Sequence, residues 1–350
     1  MLGMARRRAT LRDVARRAGV HPSTVSRALN PRTREMITDR IARRVSQAAA
    51  LLGYQANPIA YSLRTKRSQI AGVLIPDLTN PIFPPIIRGV EDGLAAAGYT
   101  AIVANTDNDA DRERLAVQNM IARHVDGLIL ATARRRDSLV DHCLAEEIPL
   151  VLVNRTVETG GASSVVTDDA FGMQLVVEHL IRLGHTRIAH VAGPPGLSTG
   201  FARHRGFLKG MKAAGLRADA GLVAVCHTFS ESEGRRAFLK LRARDRGFTA
   251  VAAGNDLLAL GCYDALRELG LRVPKDIAVT GFNDMPFVDK LKPPLTTVRI
   301  PLYQMGAQAA RTLLARLEER SAPLEQITLR PELVVRGSTA PPRNVSRRRP

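Results

Sequence analysis

The segment TLRDVARRAGVHPSTVSRALN at residues 10–30 constrains this chain most, because it spells two short helices joined by a turn too tight to be packed in many ways. Thr10 can cap the first helix, and Asp13, three residues on, answers its open N–H groups. Val14, Ala15 and Ala18 give that helix one small apolar face; Gly19 ends it and Val20 can plug the corner. His21 is placed to cap the second helix, with Pro22 at the first helical position, where a missing N–H costs nothing. Val25, Ala28 and Leu29 face inward, which leaves Pro22, Ser23, Ser26 and Arg27 on or near the outer surface. A third helix is expected from Thr38 as its cap, through Ile41, Val45, Ala48, Ala49 and Leu52, to a stop at Gly53. A second helix presented in this way is the element that enters the major groove of duplex DNA.

Charge is concentrated in the same region. The chain carries a formal net charge of +18, with 51 Lys and Arg against 33 Asp and Glu. Residues 1–68 hold 15 Lys or Arg and 3 acids, a net +12, so two thirds of the excess lies in one fifth of the sequence. Such charge supplies phosphate affinity and fast encounter, and no choice of sequence. The run Arg347, Arg348 and Arg349 reads as a disordered tail with nonspecific attraction.

After the third helix, Asn57 can cap and Pro58 can open a helix of two turns, too short to be stable alone in water. Two readings stay open on these residues: a hinge ordered only by a partner, or an ordinary capped linker. From Ile70 the pattern changes. Apolar runs at residues 70–75, 99–104, 127–131, 150–153, 188–192, 223–226, 250–253 and 277–281 alternate with helical patterns. The helical stretches are 86–97, 113–123, 171–183, 201–214 and 256–269. This alternation predicts parallel sheets covered on both faces, and about 270 residues suit two α/β subdomains of similar size. Ligands in such architecture sit beyond the carboxyl ends of strands, where the lobes meet.

Other classes find little support. No segment reaches the length of an apolar membrane span, and no secretion-type apolar stretch follows the Arg-rich beginning, so a cytoplasmic protein is expected. Cys143, Cys226 and Cys262 are widely spaced and read as buried small residues. His179, His185 and His190 read as packing groups at helix ends and in a strand. Neither a dinucleotide fingerprint nor a phosphate loop occurs, and Ser163, Ser164, Asp168 and Asp169 form no nucleophile arrangement. Neither cofactor, metal nor catalysis is expected.

The stretches TLRDVARRAGVHPSTVSRALN, LGYQANPIAYSLRT, GVLIPDLTNPIFPPIIRGVED, EHLIRLGHTRIAHVAG, GNDLLALG, DIAVTGFND and PPLTTVRIPLYQMG occur in this order. Through them the chain resembles the lac-repressor (LacI/GalR) family of bacterial transcription regulators over nearly its whole length. The resemblance implies an N-terminal all-α helix-turn-helix head at 1–56, a hinge helix and linker at 57–68, an effector-binding and dimerisation core at 69–340, and a basic tail at 341–350. The core would be two parallel-sheet subdomains resembling periplasmic sugar-binding proteins. Pro22, Ser23 and Arg27 occupy the family's base-reading positions, and Arg27 can donate twice to a guanine edge. Thr24, Ser26 and Asn30 resemble helix-positioning or phosphate-contacting residues, with Thr24 also able to face the head's core. Asn57, Ala60 and Leu63 match hinge positions, and the resemblance implies that Leu63 is wedged into a minor-groove base step.

In the core the resemblance maps the effector site onto Asp77, Phe83, Asn154, Arg203, Asn255 and Asn283. For Asn255 and Asn283 the alternative role is loop capping after strands, and Asp256 is expected to cap the helix that starts there. Asn154 and Asn283 stand where relatives carry carboxylates, and Ile300 where the lac repressor has glutamine. Tryptophan is absent, so Phe83, Phe201 or Phe229 would have to supply any stacking platform. The partners implied are a palindromic operator duplex, a small-molecule effector and a second copy of the chain. No leucine-repeat tail follows residue 335, so a homodimer is expected and a membrane partner is not. The competing reading is a soluble small-molecule sensor with only nonspecific nucleic-acid affinity.

Overall fold

Local sequence rules account for the head almost residue by residue. In a computed structural model, which describes residues 9–54 and 67–343, helix α1 spans Leu11–Ala18. Thr10 and Asp13 close a reciprocal capping box at its start. Gly19 ends it at φ 59, a left-handed conformation that costs glycine least. Helix α2, Pro22–Ala28, is capped by the His21 ring, and α3 spans Asp39–Leu52. Thr38 holds the cap position of α3 without a side-chain cap bond. Val14, Ala15, Ala18, Val25, Ala28, Ala42, Val45, Ala48 and Ala49 form the core of the head, where alanines let three short helices approach closely. Ile41 and Leu52 pack at its margin, and Ala42 takes the buried place that the spacing offered to Ile41. Arg44 donates to the carbonyl of Gly19 at 3.3 Å, tying α3 to the end of α1. The hinge positions Asn57, Ala60 and Leu63 lie outside the described residues.

The chain divides between residues 68 and 69 into two compact units. In the second, strands β1 (Ile70–Ile75), β2 (Thr100–Asn105), β3 (Gly127–Leu130), β4 (Leu150–Val153) and β5 (Ser163–Thr167) belong to a six-stranded sheet completed by β11 (Gln326–Leu329). Its order is β11-β5-β4-β3-β1-β2, and every pairing is parallel. A second parallel sheet has the order β7-β6-β8-β9, from β6 (Ile188–Ala192), β7 (Val223–Val225), β8 (Ala250–Ala253) and β9 (Ala278–Thr280). β10 (Thr297–Arg299) and β12 (Glu332–Val334) form a short antiparallel pair. Strands β3, β4, β6 and β8 are buried at every residue, as sheets covered on both faces require.

Helices α4 (Phe83–Ala95), α5 (Ala110–Ala122), α6 (Ser138–Ala145) and α11 (Leu302–Glu318) serve the first lobe. Helices α7 (Asp169–Arg182), α8 (Ser198–Ala213), α9 (Glu231–Arg244) and α10 (Asp256–Glu268) serve the second. The sequence reading missed α6, α9, α11 and the strands β5, β10 and β11. The chain crosses between lobes three times: after β5, before α11, and between β11 and β12. α11 packs on α4 so closely that a Cβ on Gly89 would lie 2.1 Å from the carbonyl oxygen of Tyr303. A Cβ on Gly306 would meet the oxygen of Ile86 at 2.0 Å.

Candidate functional site

On α2, Val25 and Ala28 are buried, whereas Ser23 and Arg27 are exposed one helical turn apart. Pro22, Thr24 and Ser26 are partly covered, and Asn30 follows the helix with its N–H on the carbonyl of Arg27 at 3.4 Å. The Ser23 hydroxyl lies 2.8 Å from Nδ1 of His21, a contact that ties the cap to the outer face. Arg27 forms no ion pair among the described residues, so its guanidinium is available to an acceptor outside the head.

Because each sheet is parallel, the carboxyl ends of its strands share one edge, and the loops leaving those ends meet between the lobes. Asp77 follows β1, Arg134 follows β3, Asn154 and Arg155 follow β4, Phe229 and Ser230 follow β7, Asn255 follows β8 and Asn283 follows β9. Together with Phe83 on α4 and Arg203 on α8 they line a cavity of about 550 Å³. All six residues that the sequence assigned to an effector site are therefore brought to one cleft, of a size that suits a small molecule.

Arg203 is the organising side chain, and it is 3% exposed. Its Nε donates to Asp169 at 2.8 Å, Nη1 to the carbonyl of Gly254 at 2.9 Å and Nη2 to Oδ1 of Asn283 at 3.1 Å. The guanidinium lies 3.9 Å from the centre of the Phe282 ring. Burial raises the Asp169 carboxyl, and Arg203 pulls it back. Because Oδ1 of Asn283 is held by Arg203, its amide nitrogen is the group it can offer the cleft. Asn154 and Asn283 sit at φ 64 and 118, conformations in which asparagine is favoured over most residues.

Other expectations shift. The capping role belongs to Asn255, whose Oδ1 accepts from the N–H of Leu258 at 2.9 Å, and not to Asp256. Asp256 is fully buried, accepts from Met285 N–H at 2.8 Å and from the Thr297 hydroxyl at 2.5 Å, and burial pushes its carboxyl up to about 7. Phe83 and Phe229 line the cleft, but Phe201 does not: it lies beneath Arg135, 3.5 Å from its guanidinium carbon. Ile300 is buried and does not line the cleft either. Arg135 also donates to the carbonyl of Pro195 at 3.0 Å, bridging the lobes, as does the N–H of Thr156 to the Ser198 hydroxyl. Arg134 and Arg155 escaped the sequence reading; the available signal was a charged residue within four positions of the end of an apolar strand.

The helix-turn-helix head and the two-lobed cleft define a class of protein: a DNA-binding regulator with an effector domain resembling sugar-binding proteins. Residues 10–57 match bacterial regulatory proteins of the lacI family, and residues 177–339 match a periplasmic binding protein-like domain. The HTH-type transcriptional regulator MalR of Streptomyces coelicolor is 37% identical over 338 residues, 94% of this chain and 96% of that protein. The ribose operon repressor of Escherichia coli K12 is 33% identical over 94% of this chain and 99% of its own. Among solved structures, the lac repressor dimer bound to operator and the anti-inducer ONPF superposes with a TM-score of 0.81 at 27% identity, covering 95% of this chain and 99% of that one. The chain belongs to the lacI family of bacterial regulatory proteins. The described residues contain no helix long and apolar enough to cross a membrane.

Proposed function

We propose that this protein is a homodimeric, sequence-specific repressor whose affinity for a palindromic operator is switched by a sugar or sugar derivative bound between its lobes. The observation that carries this reading is the convergence of Asp77, Phe83, Asn154, Arg203, Asn255 and Asn283 on one cleft, in a chain whose head also presents the exposed face of a second helix. The names of relatives support the ligand class: ribose operon repressors, and a regulator, CelR, in complex with cellobiose. In this reading Pro22, Ser23 and Arg27 read bases, while Thr24, Ser26 and Asn30 fix the helix on phosphates. Asn57, Ala60 and Leu63 form a hinge that orders on the minor groove. Effector and operator then communicate through one coupling free energy, because each binds the two lobe arrangements with unequal affinity.

Selection of the full chain against random duplexes tests the first half: a repressor of this kind enriches a two-fold symmetric site. A sensor with merely nonspecific affinity enriches none. Repeating operator binding in the presence of each ligand that the cleft accepts tests the second half and gives the sign of the switch.

A further inference from the structure

One charge in the cleft is not balanced by the fold. Arg155 is 7% exposed, and its Nη1 donates to the carbonyl of Thr132 at a long 3.3 Å. Buried ions are ordinarily paired, because stripping water from a charge is expensive. Arg203 obeys the rule through Asp169. Arg155 forms no ion pair among the described residues. The carboxyl that favours its charge is Glu113, which accepts from the Thr132 hydroxyl and is itself pushed toward its protonated form by burial.

The surroundings deepen the imbalance. Arg134 lines the same cleft from its exposed rim and donates to a backbone carbonyl, that of Asn108, at 3.0 Å. Burial, then repulsion from Arg134 and Arg203, lowers the Arg155 guanidinium to about 10, so it is still charged at neutral pH. Arg203 is already paired with Asp169, so against the guanidiniums of Arg134 and Arg155 the cleft wall sets one carboxylate, Asp77, whose Oδ1 already accepts from the N–H and hydroxyl of Thr79. A buried, charged fork that touches no carboxylate among the described residues is matched by an oxyanion that brings two or more acceptor oxygens.

The geometry points to an anionic effector: a sugar-sized metabolite whose carboxylate or phosphate sits against Arg155 and Arg134, with its hydroxyls left to the asparagines and Arg203. This rests on the cleft being the effector site. The anion serves as the missing counter-charge, so ligand binding relieves a cost that the empty protein carries.

Two measurements on the full chain test it. Calorimetric titration at fixed ionic strength compares matched sets: glucose, gluconate and glucose 6-phosphate, then ribose, ribonate and ribose 5-phosphate. An anionic member should bind at least about tenfold tighter than its neutral parent, and Arg155→Met or Arg134→Gln should erase the preference. The acid or the phosphate, whichever prevails, identifies the source of the oxyanion. Melting without sugar is the second arm. Arg155→Met removes an unmatched buried charge and should raise Tm by about 2–4 °C, while inorganic phosphate, compared with chloride, should stabilise the wild type and not the variant. A neutral sugar binding as tightly as its anionic partners overturns the proposal. So does an Arg155→Met chain that melts at or below the wild type, or that responds equally to phosphate. These outcomes leave the regulator reading standing, since that fails only if duplex selection yields no palindrome.

Discussion

Replacing Arg203 with alanine should damage folding before it damages recognition, and the damage should depend on pH in a defined direction. Arg203 and Asp169 are 2.8 Å apart with side chains 4% and 7% exposed. Removing one member of such a pair leaves the other buried without a counter-charge, at a cost of about 3–5 kcal/mol. The carbonyl of Gly254 and Oδ1 of Asn283 also lose their donor, but they lie beside a cleft that water can enter, so their share is small. Burial already raises the Asp169 carboxyl, and it is the charge and hydrogen bond of Arg203 that oppose that shift. A carboxyl with a raised folded pKa contributes stability at low pH that is lost as pH rises through its folded value. The deficit of Arg203→Ala should therefore be fullest near pH 8 and shrink on acidification. Asp169→Asn in the same chain should recover most of it at pH 8. Urea denaturation followed by circular dichroism reads this, taking the transition of the larger unit alone because a two-unit chain need not unfold in one step. A loss below about 1 kcal/mol, or one that grows toward pH 5, would refute the reasoning. The consequence for function is practical: loss of ligand in Arg203→Ala means little unless the double variant, folded, also fails to bind.

Burial pushes the His190 ring down to about 3, between Phe207 at 4.5 Å and His204 at 5.4 Å. Its folded pKa is below the unfolded value, so stability should fall as pH drops from about 6.5 toward 3, at up to about 1.4 kcal/mol per pH unit. His190→Phe keeps the ring and should flatten the pH 4–6 profile by that amount; parallel profiles would contradict it. Gly89→Ala should destabilise the larger unit by about 1–3 kcal/mol, since its methyl meets the Tyr303 carbonyl; an unchanged melting curve would mean that α4 and α11 can move apart. Arg27→Ala should cost about 1–3 kcal/mol of operator preference in competition against random duplex, and an equal loss on both duplexes would move Arg27 from base reading to phosphate contact.

The head was legible because its signals are local. Thr10 and Asp13, Gly19, His21 and Pro22 each act within four residues, so spacing alone predicts their bonds. The α/β alternation was legible for a similar reason, and strands such as β4 and β8 have no polar residue to blur them. The misses have more than one cause. β5 is Ser-Ser-Val-Val-Thr, with serines buried against the returning segment at residues 325–326: Ser164 donates to Gln326 at 2.6 Å and Ser163 accepts from the Glu325 N–H at 3.1 Å. Those partners are more than 160 residues away in sequence, so nothing local marks this polar run as a strand. α11 went unread although Met305, Ala309, Ala310 and Leu313 are fully buried at helical spacing, so there the signal was present in the sequence.

The cleft divides along the same line. Which residues reach it follows from the parallel strands, because a residue just past an apolar run stands at the shared edge of a sheet; Asp77, Asn154, Asn255 and Asn283 all occupy that position. What each does there depends on partners that only the folded chain supplies. Arg203 and Arg155 look alike as arginines near strand ends or on helices. One finds Asp169, brought 34 residues back by the packing of α7 on α8, and becomes part of the scaffold. The other has no such partner and keeps its charge for whatever enters the cleft. Asp169 thus ties Arg203 into the lobe, whereas Arg155 forms no ion pair among the described residues and, in the reading proposed above, is left to the ligand.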